Sequence, residues 1–254
     1  MADLIQELRR CGLFGSLSAA DAGRLARHTR VRNFARSAVI YSPSDPGNSV
    51  MVLVCGRVKI KVPCGARGEG SHAGDGGRQT ILSFIGEGEA FGELAILDGG
   101  PRRDCAEAIE DSQFMAVPRT ALLGLLEGRP DLALALARLV GQRCQRIEAR
   151  LADLLFSSSR ERMVRILLEL AETHGDRTGD RVEIRLPLSH QDVAGLIGVS
   201  RETATIALGE LHAAGFVEMS RLRIAITDLH RFRREAPRAL IGPPGDTIRP
   251  DSRE

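Results

Sequence analysis

The sequence predicts an α+β chain in three stretches: an antiparallel barrel or sandwich of short strands, one long helix, and a helix pair closed by a hairpin. Three observations predict it. Short runs rich in Val, Ile and Phe recur between Val31 and Ala116, broken by Gly, Pro, Ser and Asp, the pattern of antiparallel barrels and sandwiches. Apolar residues then step by four and three through Ala133, Ala137, Val140, Cys144, Ile147, Leu151 and Leu154, a heptad seam. Finally, Ser189 and Ser200 each precede an amphipathic run, with Gly198 between the two runs, as capped helices around a tight turn require.

Taken in order, the pairs Leu4 and Ile5, Leu13 and Phe14, and Leu25 and Ala26, with Leu8 and Leu17, suit short amphipathic helices. Ser18 before Ala-Ala-Asp reads as an N-cap. Strands are expected at 38–41, 49–55, 58–62, 80–85 and 113–117, with a bulge or turn at Gly56. Residues 63–79 are so rich in glycine that a flexible hairpin loop is expected there. They lack Gly-Lys-Ser/Thr and a following helix, so they do not read as a phosphate loop. After Pro118 the pattern is helical for nearly forty residues. Part of its stripe could pack on the preceding strands, but the strict 3.5-residue period favours a parallel homodimer. The dimer interface would comprise Val140, Cys144, Ile147, Leu151 and Leu154, with Ala133 and Ala137 permitting close approach.

Ser157-Ser158-Ser159 is the candidate hinge. Beyond it the sequence predicts a helix at 161–173, a polar loop at 175–180, a strand at 182–186, two helices and a hairpin at 216–227. The expected domains are therefore 1–129, the dimerisation helix 130–156, and 157–235. The tail 236–254, with Pro-Pro-Gly and alternating charge, has too little apolar surface to order itself.

Composition narrows the function classes. A chain of 254 residues with 43% hydrophobic content can fill two cores. No stretch approaches the roughly 18 apolar residues of a membrane helix, and Glu7, Arg9 and Arg10 make the N-terminus too charged for a signal peptide; a cytoplasmic protein is expected, with no membrane partner. The formal charge of +2 gives no global sign of a polyanion partner. Lys59 and Lys61 are the only lysines, so nearly all the basic residues are arginine, which carries a planar fork for phosphates and guanine edges; a codon bias toward arginine explains the same excess. Cys11, Cys55, Cys64, Cys105 and Cys144 are scattered without a C-x-x-C pair, as are the six histidines; the set points to a reducing compartment and not to a zinc site.

The most specific segment is 188–211. Ser189 caps a helix with Val193, Leu196 and Ile197 on one apolar face, and Ala194 is small enough for a second helix to cross closely. Gly198 permits a left-handed turn, Val199 plugs the core and Ser200 caps the next helix. That is the layout of a helix-turn-helix, and the hairpin behind it supplies a wing. The second helix would present Arg201, Glu202 and Thr205 to the major groove. Arginine pairs bidentately with guanine, and glutamate accepts from the cytosine amino group. Ser189, Gln191, Ser200 and Thr203 complete the expected DNA-facing set.

At this point the sequence resembles the CRP/FNR transcription regulators over roughly residues 10–232. The resemblance rests on Ser200-Arg201-Glu202-Thr203, on the segment Phe91-Gly92-Glu93-Leu94-Ala95-Ile96-Leu97-Asp98-Gly99-Gly100-Pro101-Arg102, and on the long helix joining them. It implies a cyclic-nucleotide-binding-type β-roll sensing an effector, a dimerisation helix, and a winged helix that binds a palindromic operator in double-stranded DNA and works with RNA polymerase. By resemblance Arg201 reads guanine and Glu202 cytosine. The family often has a further arginine where Ile206 stands, so the operator should differ there; Ile206 offers a contact to a thymine methyl instead.

The same resemblance places an effector site at Gly92, Glu93, Leu94, Arg102, Arg103 and Asp104. In cyclic AMP binders the Gly-Glu-Leu glutamate takes the ribose hydroxyl, and an Arg-Ser/Thr-Ala element holds the phosphate. Here Gly92-Glu93-Leu94 is intact, but the phosphate element reads Pro101-Arg102-Arg103-Asp104-Cys105. The hydroxyl is missing, and the Asp104 carboxylate would repel a phosphate unless an arginine pairs with it. Ile147 and Glu148 stand where cyclic AMP binders place adenine-contacting hydroxyls. Conventional cyclic AMP binding is therefore not expected; a different ligand, or none, fits better. An iron–sulfur cluster is not expected with Cys11 as the sole N-terminal cysteine, nor haem with Cys64 and His72 in a glycine-rich loop. Two rivals remain: an effector-independent module whose barrel contacts a protein such as RNA polymerase, and an enzyme built on Glu93, Asp98 and Asp104, which lacks a nucleophile or metal cluster. The winged helix carries Arg201, Arg221, Arg223, Arg231, Arg233 and Arg234, nearly balanced by Glu210, Glu218 and Asp228, so modest non-specific affinity is expected.

Overall fold

Two strands with strict alternation organise the N-terminal half. In β3 (Ser49–Cys55), Val50 and Val52 face one apolar cluster while Met51 and Leu53 face another. In β8 (Ser112–Pro118), Met115 and Val117 join the first cluster and Phe114 the second. A strand with period-two side chains can carry two separate cores only if both its faces are covered. The computed structural model, which describes residues 2–63 and 79–236, shows how. The glycine-rich stretch with Cys64 and His72 and the C-terminal tail, both assigned loop or disorder from sequence, lie outside the described residues.

The chain divides into two units, Met1–Gly141 and Gln142–Glu254. The first opens with α1 (Ala2–Arg10) and α2 (Ala19–Ala26), the latter capped by Ser18, whose side chain accepts from Asp21 N. Strands β1 (Arg30–Phe34), β2 (Val39–Tyr41), β3, β4 (Val58–Pro63), β5 (Gln79–Ile85), β6 (Ala90–Phe91), β7 (Cys105–Ala108) and β8 follow, with the short α3 (Leu94–Asp98) after β6. They form two four-stranded antiparallel sheets, ordered β1-β8-β3-β6 and β2-β7-β4-β5. Tyr41, Leu53, Val58, Ile60, Phe91 and Phe114 make one core with strands from both sheets. Leu8, Phe14, Leu17 and Leu25 cover the outer face of β3 and β8. The sequence reading missed three strands. β1 is mostly polar and exposed, β6 is two residues long, and β7 is Cys-Ala-Glu-Ala; none carries an alternating apolar signal, and pairing with a neighbour defines each of them.

Past β8 the helical stretch is broken at 127–129 into α4 (Arg119–Leu126) and α5 (Pro130–Phe156). Leu132 and Leu136 of α5 are buried in the first unit's core, with Leu139 beside them. Each such leucine contributes about 1.5–3 kcal/mol. The heptad seam lies on another face. Ala133, Ala137, Cys144, Ile147, Leu151 and Leu154 are exposed and Val140 is half-buried. Arg129 ties the start of this helix down: it bonds the Ser16 carbonyl at 2.9 Å, pairs with Asp131 at 2.8 Å, and pairs with Asp21 of α2.

The second unit holds the rest of α5, then α6 (Ser159–His174), β9 (Gly175–Thr178), β10 (Arg181–Ile184), α7 (His190–Ile197), α8 (Arg201–Ala213), β11 (Val217–Ser220), β12 (Arg223–Ile226) and α9 (Leu229–Arg233). Ser158 and Glu161 form a capping box at the start of α6. Ser157–Ser159 thus lies inside this unit, and ion pairs of Asp153 with Arg165 and of Arg150 with Glu169 link α5 to α6 across it. The polar loop expected at 175–180 is instead strand β9 and a turn. β9 pairs with β10 at the edge of the sheet β11-β12-β10-β9. All four of its residues are exposed, which is why no apolar pattern marks it. Ala194, Ala204, Ala207 and Leu208 are buried, and α7 packs against α8. Between these helices Gly198 adopts φ 68°, ψ 38°, and a Cβ there would sit 2.7 Å from Leu154 Cδ2. Val199 is half-buried, a partial plug.

Two outcomes follow. Gly198→Ala combines a left-handed backbone with that clash and is expected to lower the unfolding free energy of the full chain by about 1–2 kcal/mol in urea titration. Hydrogen bonds from Arg24, then Ser18, hold the Asp21 carboxyl below its ordinary value of 3.8. A carboxylate depressed in the folded state stabilises above its unfolded pKa, and that stability is lost as pH falls through the folded value. Thermal melts from pH 7 to pH 2 should therefore show a shallower acid-side loss for Asp21→Asn than for the wild type.

Candidate functional site

The second unit builds an exposed helix face from local capping. At α7, Ser189 Oγ accepts from Asp192 N at 3.1 Å and the Asp192 carboxylate accepts from Ser189 N at 3.0 Å. At α8, Ser200 Oγ accepts from Thr203 N at 3.2 Å, and the two hydroxyls lie 3.1 Å apart. The half-buried Ser189, Ser200 and Thr203 are thus engaged in fixing the helix starts. α8 turns Ala204, Ala207, Leu208 and Leu211 inward. Arg201, Glu202, Thr205, Ile206, Gly209 and Glu210 are exposed and form its outer face. Gln191 is exposed on α7. His190, which the sequence reading did not single out, places Nδ1 2.9 Å from Thr205 Oγ1 and joins the two helices. Thr205 Oγ1 also donates to the Arg201 carbonyl at 2.8 Å.

The hairpin lies near the N-terminus of α8: a shallow cleft is lined by Leu188, Ser189, His190, Arg201 and residues 219–224. Its turn carries exposed Arg221 and Leu222 at φ 60°. Several of the unit's arginines are engaged internally. Arg223 bonds Glu183 at 3.2 Å, Arg233 bonds Glu172 at 3.0 Å, and Arg231 stacks 4.5 Å from the Phe216 ring centroid. Among the described residues no ion pair involves Arg201 at the start of α8 or Arg221 at the wing turn.

In the first unit, Gly92 (φ 75°) follows β6 and Glu93 is fully buried at the start of α3. The Arg102 guanidinium is buried and donates to the Gly92 and Ser49 carbonyls, with its carbon 4.5 Å from the Tyr41 ring centroid. A Cβ at position 92 would meet Arg102 Nη1 at 2.4 Å, so only glycine lets the arginine reach this position. Asp104 adjoins the same group. Burial raises its carboxyl pKa, and burial followed by the Asp104 charge raises that of the Tyr41 phenol. Gly92, Glu93, Arg102 and Asp104 are thus brought together. Leu94 is exposed, and Arg103 points outward to pair with Asp98 at 3.1 Å. Tyr41 is the partner that the sequence reading missed; as the chain's only tyrosine, inside an apolar strand, it was the available signal. Among the described residues no cluster of His, Cys, Asp or Glu could hold a metal ion, and no helix is long and apolar enough to cross a membrane. Burial pushes the Cys11 thiol up to about 11, which disfavours the thiolate that metal ligation needs.

Comparison with known proteins agrees with both halves. Residues 31–129 match the cyclic nucleotide-binding domain family and residues 161–235 the Crp-like helix-turn-helix domain family. The chain is 30% identical over 229 residues to the CRP-like cAMP-activated global transcriptional regulator of Mycobacterium tuberculosis (strain ATCC 25618 / H37Rv), covering 90% of this chain and 98% of that protein. It is 29% identical over 207 residues to the cyclic AMP receptor protein of Thermus thermophilus, covering 82% and 88%. Among solved structures, a CRP/FNR family transcriptional regulator, also from Thermus thermophilus, aligns with a TM-score of 0.65 at 25% identity, covering 82% of this chain and 98% of that one. With a sensor-type roll, a helix-turn-helix and a relative alike along nearly its whole length, the chain belongs to the CRP/FNR family of transcription regulators.

Proposed function

We propose that this regulator works in the cytoplasm as a homodimer, setting two α8 helices into successive major grooves of a palindromic operator. The observation that carries this reading is the outer face of α8, where Arg201 and Glu202 project from a helix start whose capping groups are already satisfied. A helix in the major groove uses its N-terminal residues on base edges. Arg201 pairs with guanine O6 and N7, and Glu202 accepts from a cytosine amino group. Gln191 and Arg221 flank this face as phosphate contacts that set register. The functional division is 1–129 for sensing, 130–156 for dimerisation and 157–235 for DNA binding.

The dimer reading rests on α5. Its seam at Val140, Cys144, Ile147, Leu151 and Leu154 is largely exposed, Phe156 is 74% exposed nearby, and a Cβ at Gly141 would meet nothing within 4 Å. Paired in parallel, two such helices bury the stripe and approach closely at Ala133 and Ala137. A signal then acts by favouring the dimer geometry that spaces the recognition helices about 34 Å apart.

The sensor pocket is not a conventional cyclic AMP site in this reading, because the Arg102 guanidinium is engaged with the Gly92 and Ser49 carbonyls and the Tyr41 ring, with the buried Asp104 carboxyl in electrostatic reach. An incoming phosphate adds a second anion beside Asp104. The effector is another ligand. The same carboxylate supports a second reading, in which the roll meets RNA polymerase and DNA binding needs no effector. No reaction is assigned to either unit.

Selection of bound duplexes from random DNA by the full chain, with and without cyclic AMP, cyclic GMP and cyclic di-GMP, tests this. An inverted repeat is expected, its affinity changed by none of the three. Arg201→Ala should weaken binding to the selected site by about 5- to 150-fold per half-site, the equivalent of one bidentate pair, as read by fluorescence anisotropy; full sequence-specific binding by that variant would remove α8 from the reading. Titration calorimetry should show no cyclic AMP binding in the micromolar range, and a micromolar Kd would refute the role given to Asp104.

A further inference from the structure

One side chain on α8 does not fit a purely polar reading face. Ile206 is 63% exposed, and outside α5 it is the only large apolar side chain so exposed among the described residues of the second unit. It stands one turn after Glu202 and next to Thr205 on the outer face. Thr205 is itself less polar than it looks. Its hydroxyl donates to the Arg201 carbonyl at 2.8 Å and lies 2.9 Å from His190 Nδ1, so the proton is committed to the protein and the methyl remains. Next along the face is Gly209, exposed in the middle of a helix. Glycine there weakens a helix relative to alanine. A Cβ at 209 would meet nothing within 4 Å and the backbone is not left-handed, so among the described residues neither packing nor conformation calls for it. Its remaining effect is to let something outside the chain lie close to the helix backbone.

Each base pair presents a distinct major-groove edge, and the one apolar feature there is the methyl on pyrimidine C5. We propose that Ile206, with the Thr205 methyl and the bare backbone at Gly209, reads the C5-methyl group of a pyrimidine in each half-site. The inference rests on α8 lying in the major groove. It goes further by making part of the specificity an apolar contact, next to the polar contacts of Arg201 and Glu202. Thymine and 5-methylcytosine carry the same methyl, so the test separates them.

The half-sites enriched from random DNA supply the probes. At each pyrimidine of the half-site, anisotropy titrations of the full chain compare thymine with deoxyuridine opposite adenine, and 5-methylcytosine with cytosine opposite guanine. Losing one buried methyl is worth about a fourfold change in affinity. At one position per half-site, the methylated base should bind about fourfold better than its demethylated counterpart. A thymine–deoxyuridine difference identifies thymine as the target, and a 5-methylcytosine–cytosine difference at a cytosine position identifies the modified base. In Ile206→Ala that ratio should fall to near one with an unchanged melting temperature, while the Arg201-dependent preference elsewhere in the half-site persists. Ratios of one at every position for the wild type overturn the proposal, as does a ratio that survives in Ile206→Ala. If the wild type enriches no sequence at all, the DNA reading itself fails and takes the proposal with it. That failure is distinguishable from loss of methyl reading alone, in which an Arg201-dependent site is still selected.

Discussion

Helix α5 carries two apolar stripes that cannot be buried in the same place, and much of the molecule follows from that conflict. Leu132, Leu136 and Leu139 close the first unit's core over β3 and β8. The heptad residues from Ala137 to Leu154 point elsewhere and remain largely exposed within one chain. Burying the first stripe fixes the start of the helix, helped by Arg129 between Asp21 and Asp131. The second stripe leaves a surface that a matching stripe would cover. Farther along, Arg150 and Asp153 hold α6, and Leu154 lies against Gly198 at the turn before α8. A single helix therefore takes part in the first unit's core, the exposed seam and the packing at the turn before α8.

Helix α8 shows how local capping sets an exposed face. Serine at 189, 158 and 200 satisfies backbone donors that a helix start leaves open. These hydroxyls are occupied at the helix starts, and the exposed face of α8 carries Arg201, Glu202, Thr205 and Ile206. Charge is distributed with similar economy. The +2 total looked unpromising for a polyanion partner, yet Arg223 and Arg233 are bound to acids of their own unit. Arg201 and Arg221 lie at the start of α8 and at the wing turn, both exposed. Placement rather than sum decides the field that DNA would meet.

In the roll, burial changes what the same residues can do. Gly92 lets Arg102 come so close that its two terminal nitrogens donate to backbone carbonyls and its carbon lies over the Tyr41 ring, while Nε is buried without a hydrogen-bond partner among the described residues. Asp104 is drawn into the same low-dielectric setting, which raises the cost of its charge. A phosphate entering this site would compete with groups the protein has already supplied.

The sequence alone determined what depends on neighbours within a few residues. The caps at Ser18, Ser158, Ser189 and Ser200, the left-handed Gly198, the alternation of β3 and β8 and the heptad of α5 are local patterns with local causes, so the α+β class, the three stretches and the outer face of α8 were legible in it. Tertiary structure decided whatever depends on residues far apart in the chain. Strands β1, β7 and β9 exist because a neighbour pairs with them, not because of their own composition. Tyr41 joined Arg102 and Asp104 only through the sheet that sets β2 beside β7. Which of two adjacent arginines turned inward was likewise settled by space, since the gap above Gly92 admits Arg102 and leaves Arg103 to solvent and Asp98.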